Sequence, residues 1–194
     1  MKSDKESMKV PTSVQDTIPV KRVWPDGTFQ TGSKFSKTFK FSDINYSVAS
    51  KDDQMAMFLN YCELLNSLEV GATTKITINN RRLNKTSFRQ NLLMMQDDGL
   101  DEFRKEYNAM LMEKAMRGSG IIQEKYITVS IIKQTYDEAK TFFARVAAEL
   151  TTHLARLSSK CTELDCTERM RIFHDFYRIG EEENFRFGLY DLMK

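Results

Sequence analysis

The stretch Lys34-Phe-Ser-Lys-Thr-Phe-Lys-Phe41 and the apolar series Met55, Phe58, Leu59, Cys62, Leu65 and Leu68 that follows it decide how this chain folds. Phe35, Phe39 and Phe41 recur close to every second residue, with Lys and Ser between them. That is the period of a strand, and it predicts the aromatics on one face and the lysines on the other. From Lys51 the apolar residues recur at three- and four-residue steps, which predicts an amphipathic helix with this stripe, Cys62 included, in the core. Asp52 and Asp53 suit the positive end of that helix, and Gly71 follows its end.

Working outward, Val20-Lys-Arg-Val-Trp24 reads as a short strand closed by a turn at Pro25-Asp26-Gly27. Thr73 to Asn79 alternates through Ile76 and Ile78 as a β-branched strand. A helix fits Leu100 to Met116, capped by Asp97 and Asp98 and stopped by Gly118 and Gly120. Ile121 to Ile132 is a long β-branched strand. Tyr136 to Leu157 is the longest helical pattern, with Phe143, Val146, Ala147, Leu150 and Leu154 on one stripe. Cys161 to Leu164 reads as a short strand and Thr167 to Arg178 as a final helix. The order strand, helix, strand, strand, helix, strand predicts an α+β fold of ferredoxin-like split β-α-β order, an antiparallel sheet with helices packed on one face. The predicted organisation is a flexible N-terminal tail over 1–19, punctuated by Pro11 and Pro19, and an α+β domain over 20–180. A basic loop and helix at 81–118 are inserted into that domain, and a linker begins at 181–194.

Composition narrows the function classes. With 194 residues, 41% hydrophobic and 29% charged, the chain has enough apolar content for one globular core. Lys+Arg is 29 against Asp+Glu 27, a balance unlike that of a tail-driven nucleic-acid binder. The longest apolar runs, such as Leu92-Leu93-Met94-Met95, fall far short of the ~20 residues that span a bilayer. The polar start, Met1-Lys-Ser-Asp-Lys-Glu6, predicts no secretory leader. Three cysteines predict no disulfide framework and a reducing, cytoplasmic setting.

Each candidate site competes with a plainer role. Gly27-Thr-Phe-Gln-Thr-Gly32-Ser33-Lys34 has the glycine spacing of a phosphate-binding loop, but Ser and Lys stand in the wrong order and a strand follows instead of a helix. A hairpin with turn glycines is the better reading, and nucleotide hydrolysis is not encoded here. Cys161, Cys166, His153 and His174 lack the tight cysteine pairing of zinc folds, and His174 sits beside Phe173 as a partly buried helix residue. No catalytic, cofactor or metal residues are therefore predicted. The acid-free window from Val70 to Gln96 carries Lys75, Arg81, Arg82, Lys85 and Arg89 with Phe88 among them, a pattern able to grip anionic lipid headgroups or a nucleic-acid backbone, or to be a solvated loop. Met110, Met112 and Met116 share one helix but not one face, as expected of core or of a helix facing an adaptable apolar partner.

Ser13-Val-Gln-Asp-Thr-Ile-Pro19, the Asp26-Gly27 turn, Ser36-Lys-Thr-Phe39-Lys-Phe41-Ser-Asp43-Ile-Asn45-Tyr46 and Phe58-Leu-Asn-Tyr61-Cys-Glu-Leu-Leu-Asn66 resemble the N-terminal region of the TraC-like conjugative-transfer ATPases. These are the large VirB-type ATPases of type IV secretion, here of the Gram-positive integrative-element type. Tyr107-Asn-Ala-Met-Leu111, Lys125-Tyr-Ile-Thr128, Glu138-Ala-Lys140, Glu168-Arg-Met170 and Phe173-His174 continue the resemblance. It implies a non-catalytic docking or scaffold domain at the inner face of the cell membrane, against membrane-embedded channel subunits. The anionic membrane surface is a partner suggested instead by the basic residues Arg81, Arg82, Lys85 and Arg89. The resemblance implies further that ATP and Mg belong to a motor domain beyond residue 194, and a homo-oligomer is an expectation for the full-length protein only. The alternatives are a domain that contacts nucleic acid through the basic 75–89 stretch, and an independent small enzyme.

Overall fold

The computed structural model describes residues 12, 17–82, 100–117, 121–181 and 184–188. These form six strands and four helices: β1 (Arg22–Val23), β2 (Phe29–Thr31), β3 (Lys34–Phe41), α1 (Lys51–Ser67), β4 (Thr73–Arg82), α2 (Asp101–Arg117), β5 (Ile121–Ile132), α3 (Tyr136–Arg156), β6 (Cys161–Glu163) and α4 (Cys166–Tyr177). The fold is α+β, and every strand pairing in its sheet is antiparallel. β5 lies between β3 and β4, and β6 joins the far edge of β3, so the four strands of the split β-α-β unit run β6-β3-β5-β4. The hairpin β1–β2 extends the same edge of β3, pairing with its first residues while β6 pairs with its last.

β3 and β5 are in register without interruption from Lys34↔Ile132 to Phe41↔Lys125. Strict alternation follows, so Phe35 and Phe39 share one face with Ile127, Val129 and Ile131, and α3 covers them. Phe142, Phe143, Val146, Ala147, Leu150 and Leu154 of α3 complete a buried cluster that includes Leu64 of α1. The same alternation corrects the expectation that all the lysines oppose the aromatics. Lys34 and Lys40 do, but Lys37 stands between Phe35 and Phe39 on the core face. Its stem is buried and its ammonium reaches the sheet edge, 2.6 Å from Glu163 and 3.8 Å from Asp26.

The helix α1 forms over the expected range, with Ser50 as its cap accepting from the Asp53 amide. It buries a different face from the one its apolar spacing predicts. Leu64 is buried, with Met57 and Leu68 packed against the core. Met55, Phe58, Leu59 and Leu65 are exposed and Cys62 is half-buried. Of the expected stripe only Leu68 meets the core; the four exposed residues lie roughly two fifths of a turn round the helix from the line of Met57 and Leu64, because α1 meets the core beside α3 along one narrow ridge.

β4 is longer than its alternation through Asn79 suggests. Pairing with the long β5 carries it to Arg82↔Ile121, so Arg81 and Arg82 are strand residues and not part of a loop. The expected caps Asp97 and Asp98 and the stop at Gly118 and Gly120 lie outside the described residues, as do residues 1–11 of the tail and 189–194 of the linker. The last helix, α4, crosses to the face of the sheet opposite α1 and α3. A capping box starts it: Asp165 accepts from the Glu168 amide, and Glu168 accepts from the Asp165 amide.

Candidate functional site

The face of the sheet beneath α4 is polar. Alternation brings Ser36, Thr38 and Lys40 of β3, Glu124, Tyr126 and Thr128 of β5, and Lys75, Thr77, Asn79 and Arg81 of β4 to this side. Glu124 sits at its centre, 5% exposed. Its carboxylate accepts from Lys40 Nζ at 2.6 Å, from Arg81 Nε at 3.0 Å and from the Tyr126 hydroxyl at 2.7 Å. Burial alone would raise this carboxyl, but the bonds from Lys40 and Tyr126 and the charges of Arg81 and Lys40 outweigh it and hold the group at about 2. The Tyr126 phenol is pushed up by burial and by its bond to that carboxylate. The network ties β3, β5 and β4 together with charge-assisted bonds.

α4 is anchored by Arg169, itself 7% exposed. Its Nη1 donates to the carbonyls of Gly27 and Ser36, both at 2.7 Å, and its Nη2 to Ser36 Oγ at 3.2 Å. The guanidinium lies over the Phe29 ring, 3.9 Å from its centroid. Burial lowers its pKa to about 10, so it stays charged near neutrality. No carboxylate forms an ion pair with it among the described residues. Phe29 stacks on Phe173, and Phe173 on Tyr177, with the rings within 11° of parallel; Phe176 stands edge-on to Tyr177.

Between α4 and the sheet lies a groove of about 390 Å³, floored by Thr38, Thr77, Tyr126 and Thr128, flanked by Lys75 and Arg169, and roofed by aromatic residues of α4. The volume is in the range of small-ligand sites.

No protein-family model matches the chain, and no curated protein shows significant sequence similarity to it.

The residues singled out by sequence are scattered over this frame. Lys75 lines the groove, whereas Arg81 is committed to Glu124 and Arg82 closes β4 opposite Ile121. Lys85 and Arg89 lie outside the described residues. Met110 is exposed, Met112 is half-buried, and the Met116 side chain lies outside the described residues. Leu100, just before α2, and Phe103, Tyr107 and Met110 on it form an exposed row at helical spacing. The Gly27–Lys34 segment is a hairpin, with Gly27 and Gly32 at φ of 78° and 60° and a two-residue turn joining β2 to β3. Among the described residues no His, Cys, Asp or Glu cluster is fit to hold a metal ion. Burial pushes the thiols of Cys161 and Cys166 up, away from the thiolate form a nucleophile needs. No described helix is long and apolar enough to cross a membrane. Sequence spacing does not single out Glu124, Arg169 or Phe176. The alternation of Glu124, Tyr126, Thr128 and Ser130 with Ile127, Val129 and Ile131 is the one signal that β5 carries a polar face.

Proposed function

We propose that this chain is a non-catalytic docking domain of a TraC-like conjugative-transfer ATPase, holding a motor that lies beyond residue 194 against membrane-embedded channel subunits at the inner face of the membrane. One observation carries the reading: two helices keep apolar rows uncovered, Met55, Phe58, Leu59 and Leu65 on α1 and Phe103, Tyr107 and Met110 on α2. Apolar rows of this kind mark surfaces that a protein partner covers. Methionine within them suits an adaptable contact, with Met112 and Met116 on the same helix α2. Arg82, Lys85 and Arg89, at the end of β4 and just beyond it, supply a basic supplement for an anionic leaflet, weak and salt-sensitive by itself. ATP and Mg belong to the motor in this reading, and this chain holds neither.

The test replaces Phe58, Leu59, Phe103 and Met110 with Ser in the full-length protein and follows two quantities: co-purification with the membrane channel subunits, and transfer frequency. Both should fall while the thermal midpoint of the domain stays within a few degrees of the wild type. Retention of both would remove the basis of the proposal.

A further inference from the structure

We infer that the groove beneath α4 binds single-stranded nucleic acid, seating one nucleotide with its base against the aromatic end of α4 and its phosphate at Lys75. This is a separate site from the apolar rows of α1 and α2, and it does not rest on the docking reading. Charge comes first. Lys75 and Arg169 line the groove, and no carboxylate lines it with them. Two acids are buried nearby and neither lines the groove: Glu124 is already neutralised by Lys40 and Arg81, and Asp175 of α4 lies within reach of the charges of Arg81 and Arg171. The charged groups that line the groove are therefore cations alone, and an incoming phosphate would find Lys75 exposed at its flank.

Shape comes second. The rings of Phe29, Phe173 and Tyr177 follow one another as a stack of nearly parallel planes, with the guanidinium of Arg169 over Phe29 at its inner end. The stack ends at the surface, where Tyr177 is 49% and Phe176 70% exposed. Large aromatic rings left open beside a cationic groove are what a base needs, since every base offers a face to stack. A volume of about 390 Å³ suits one nucleotide unit rather than a duplex. The floor adds hydroxyls, with Thr38 and Thr128 side by side at 2.9 Å, able to meet sugar or phosphate oxygens.

The experiment is fluorescence anisotropy with a labelled twelve-nucleotide oligo-dT strand, the matching duplex, and AMP as competitor, using the whole chain. Lys75→Gln and Phe176→Ala change exposed side chains, and circular dichroism with a thermal melt checks that both variants keep the fold. The single strand should bind more tightly than the duplex, and its affinity should fall steeply with added salt. Phe176→Ala should weaken it by ~5-fold or more, and Lys75→Gln should weaken it and flatten the salt dependence by about one phosphate contact. No binding of the strand, duplex binding as tight as single-strand binding, binding of AMP in its place, or binding indifferent to both substitutions would each overturn the inference.

Discussion

Replacing Glu124 with Gln keeps the shape of the side chain and removes the charge at the centre of the polar face. In the folded protein this carboxyl is held at about 2, against an ordinary value of 4.5, by Lys40, Tyr126 and Arg81 acting against burial. A lowering of that size corresponds to about 3 kcal/mol of folding stability. The group is only 6% exposed at its side chain and Arg81 only 21%, so solvent screens that interaction little; Lys40, at 40%, contributes less than its short bond suggests. The sign follows from the direction. Because the folded state lowers the pKa, the stability is fully present above the unfolded value near 4.5 and is lost as pH falls through about 2. The assay is urea denaturation of wild type and Glu124→Gln between pH 7 and pH 2.5. At pH 7 the variant should be about 3 kcal/mol less stable, since Arg81 and Lys40 are then left facing an amide. As pH falls below about 4.5 the wild type should converge on the variant. Parallel pH profiles, or a loss under ~1 kcal/mol at pH 7, would refute the argument that the carboxylate ties the three strands together.

Phe39 is fully buried opposite Ile127, and Phe39→Ala should cost ~3–5 kcal/mol by chemical denaturation; a loss below ~1 kcal/mol would contradict the register of β3. A Cβ at Gly27 would overlap the Leu164 carbonyl oxygen at a positive φ, whereas one at Gly32 meets open space, so Gly27→Ala should lower stability by ~3 kcal/mol or more and Gly32→Ala by only ~1–2 kcal/mol. Equal losses at the two glycines would show that the hairpin does not press on the β6–α4 connection. Arg82, Lys85 and Arg89 changed together to Gln should weaken sedimentation with phosphatidylserine liposomes by roughly a hundredfold, at about 1 kcal/mol per basic residue near the surface. Arg81 is left intact in that variant because it pairs with Glu124, and unchanged sedimentation would make the basic stretch a solvated segment. Calorimetry with Mg-ATP should give no micromolar binding that Lys34→Ala abolishes, since Lys34 begins β3 and does not cap a helix.

The sequence by itself determined the elements and their order. Period-two runs in 34–41 and 121–132, and the stripe Phe143, Val146, Ala147, Leu150 and Leu154, reflect local geometry, in which alternation or helical spacing must match a buried face. The split β-α-β order follows once those elements are placed, because an antiparallel strand inserts between two parallel ones only in that arrangement. Tertiary structure decided which face each element buries. The stripe on α1 has the spacing of a core face, yet the ridge that meets α3 runs through Leu64, and the apolar row is left to solvent. Lys37 lies among aromatics because a long stem can carry its charge to Asp26 and Glu163 at the sheet edge, partners that other strands and turns bring there. Arg81 belongs to a basic window in sequence, but strand pairing across 43 positions turns it onto Glu124 and removes it from any free patch. The groove beneath α4 was hidden for the same reason. Its residues come from β3, β4, β5 and α4, and only the crossing of the last helix to the second face of the sheet brings Lys75, Tyr126, Arg169 and Phe176 to one place.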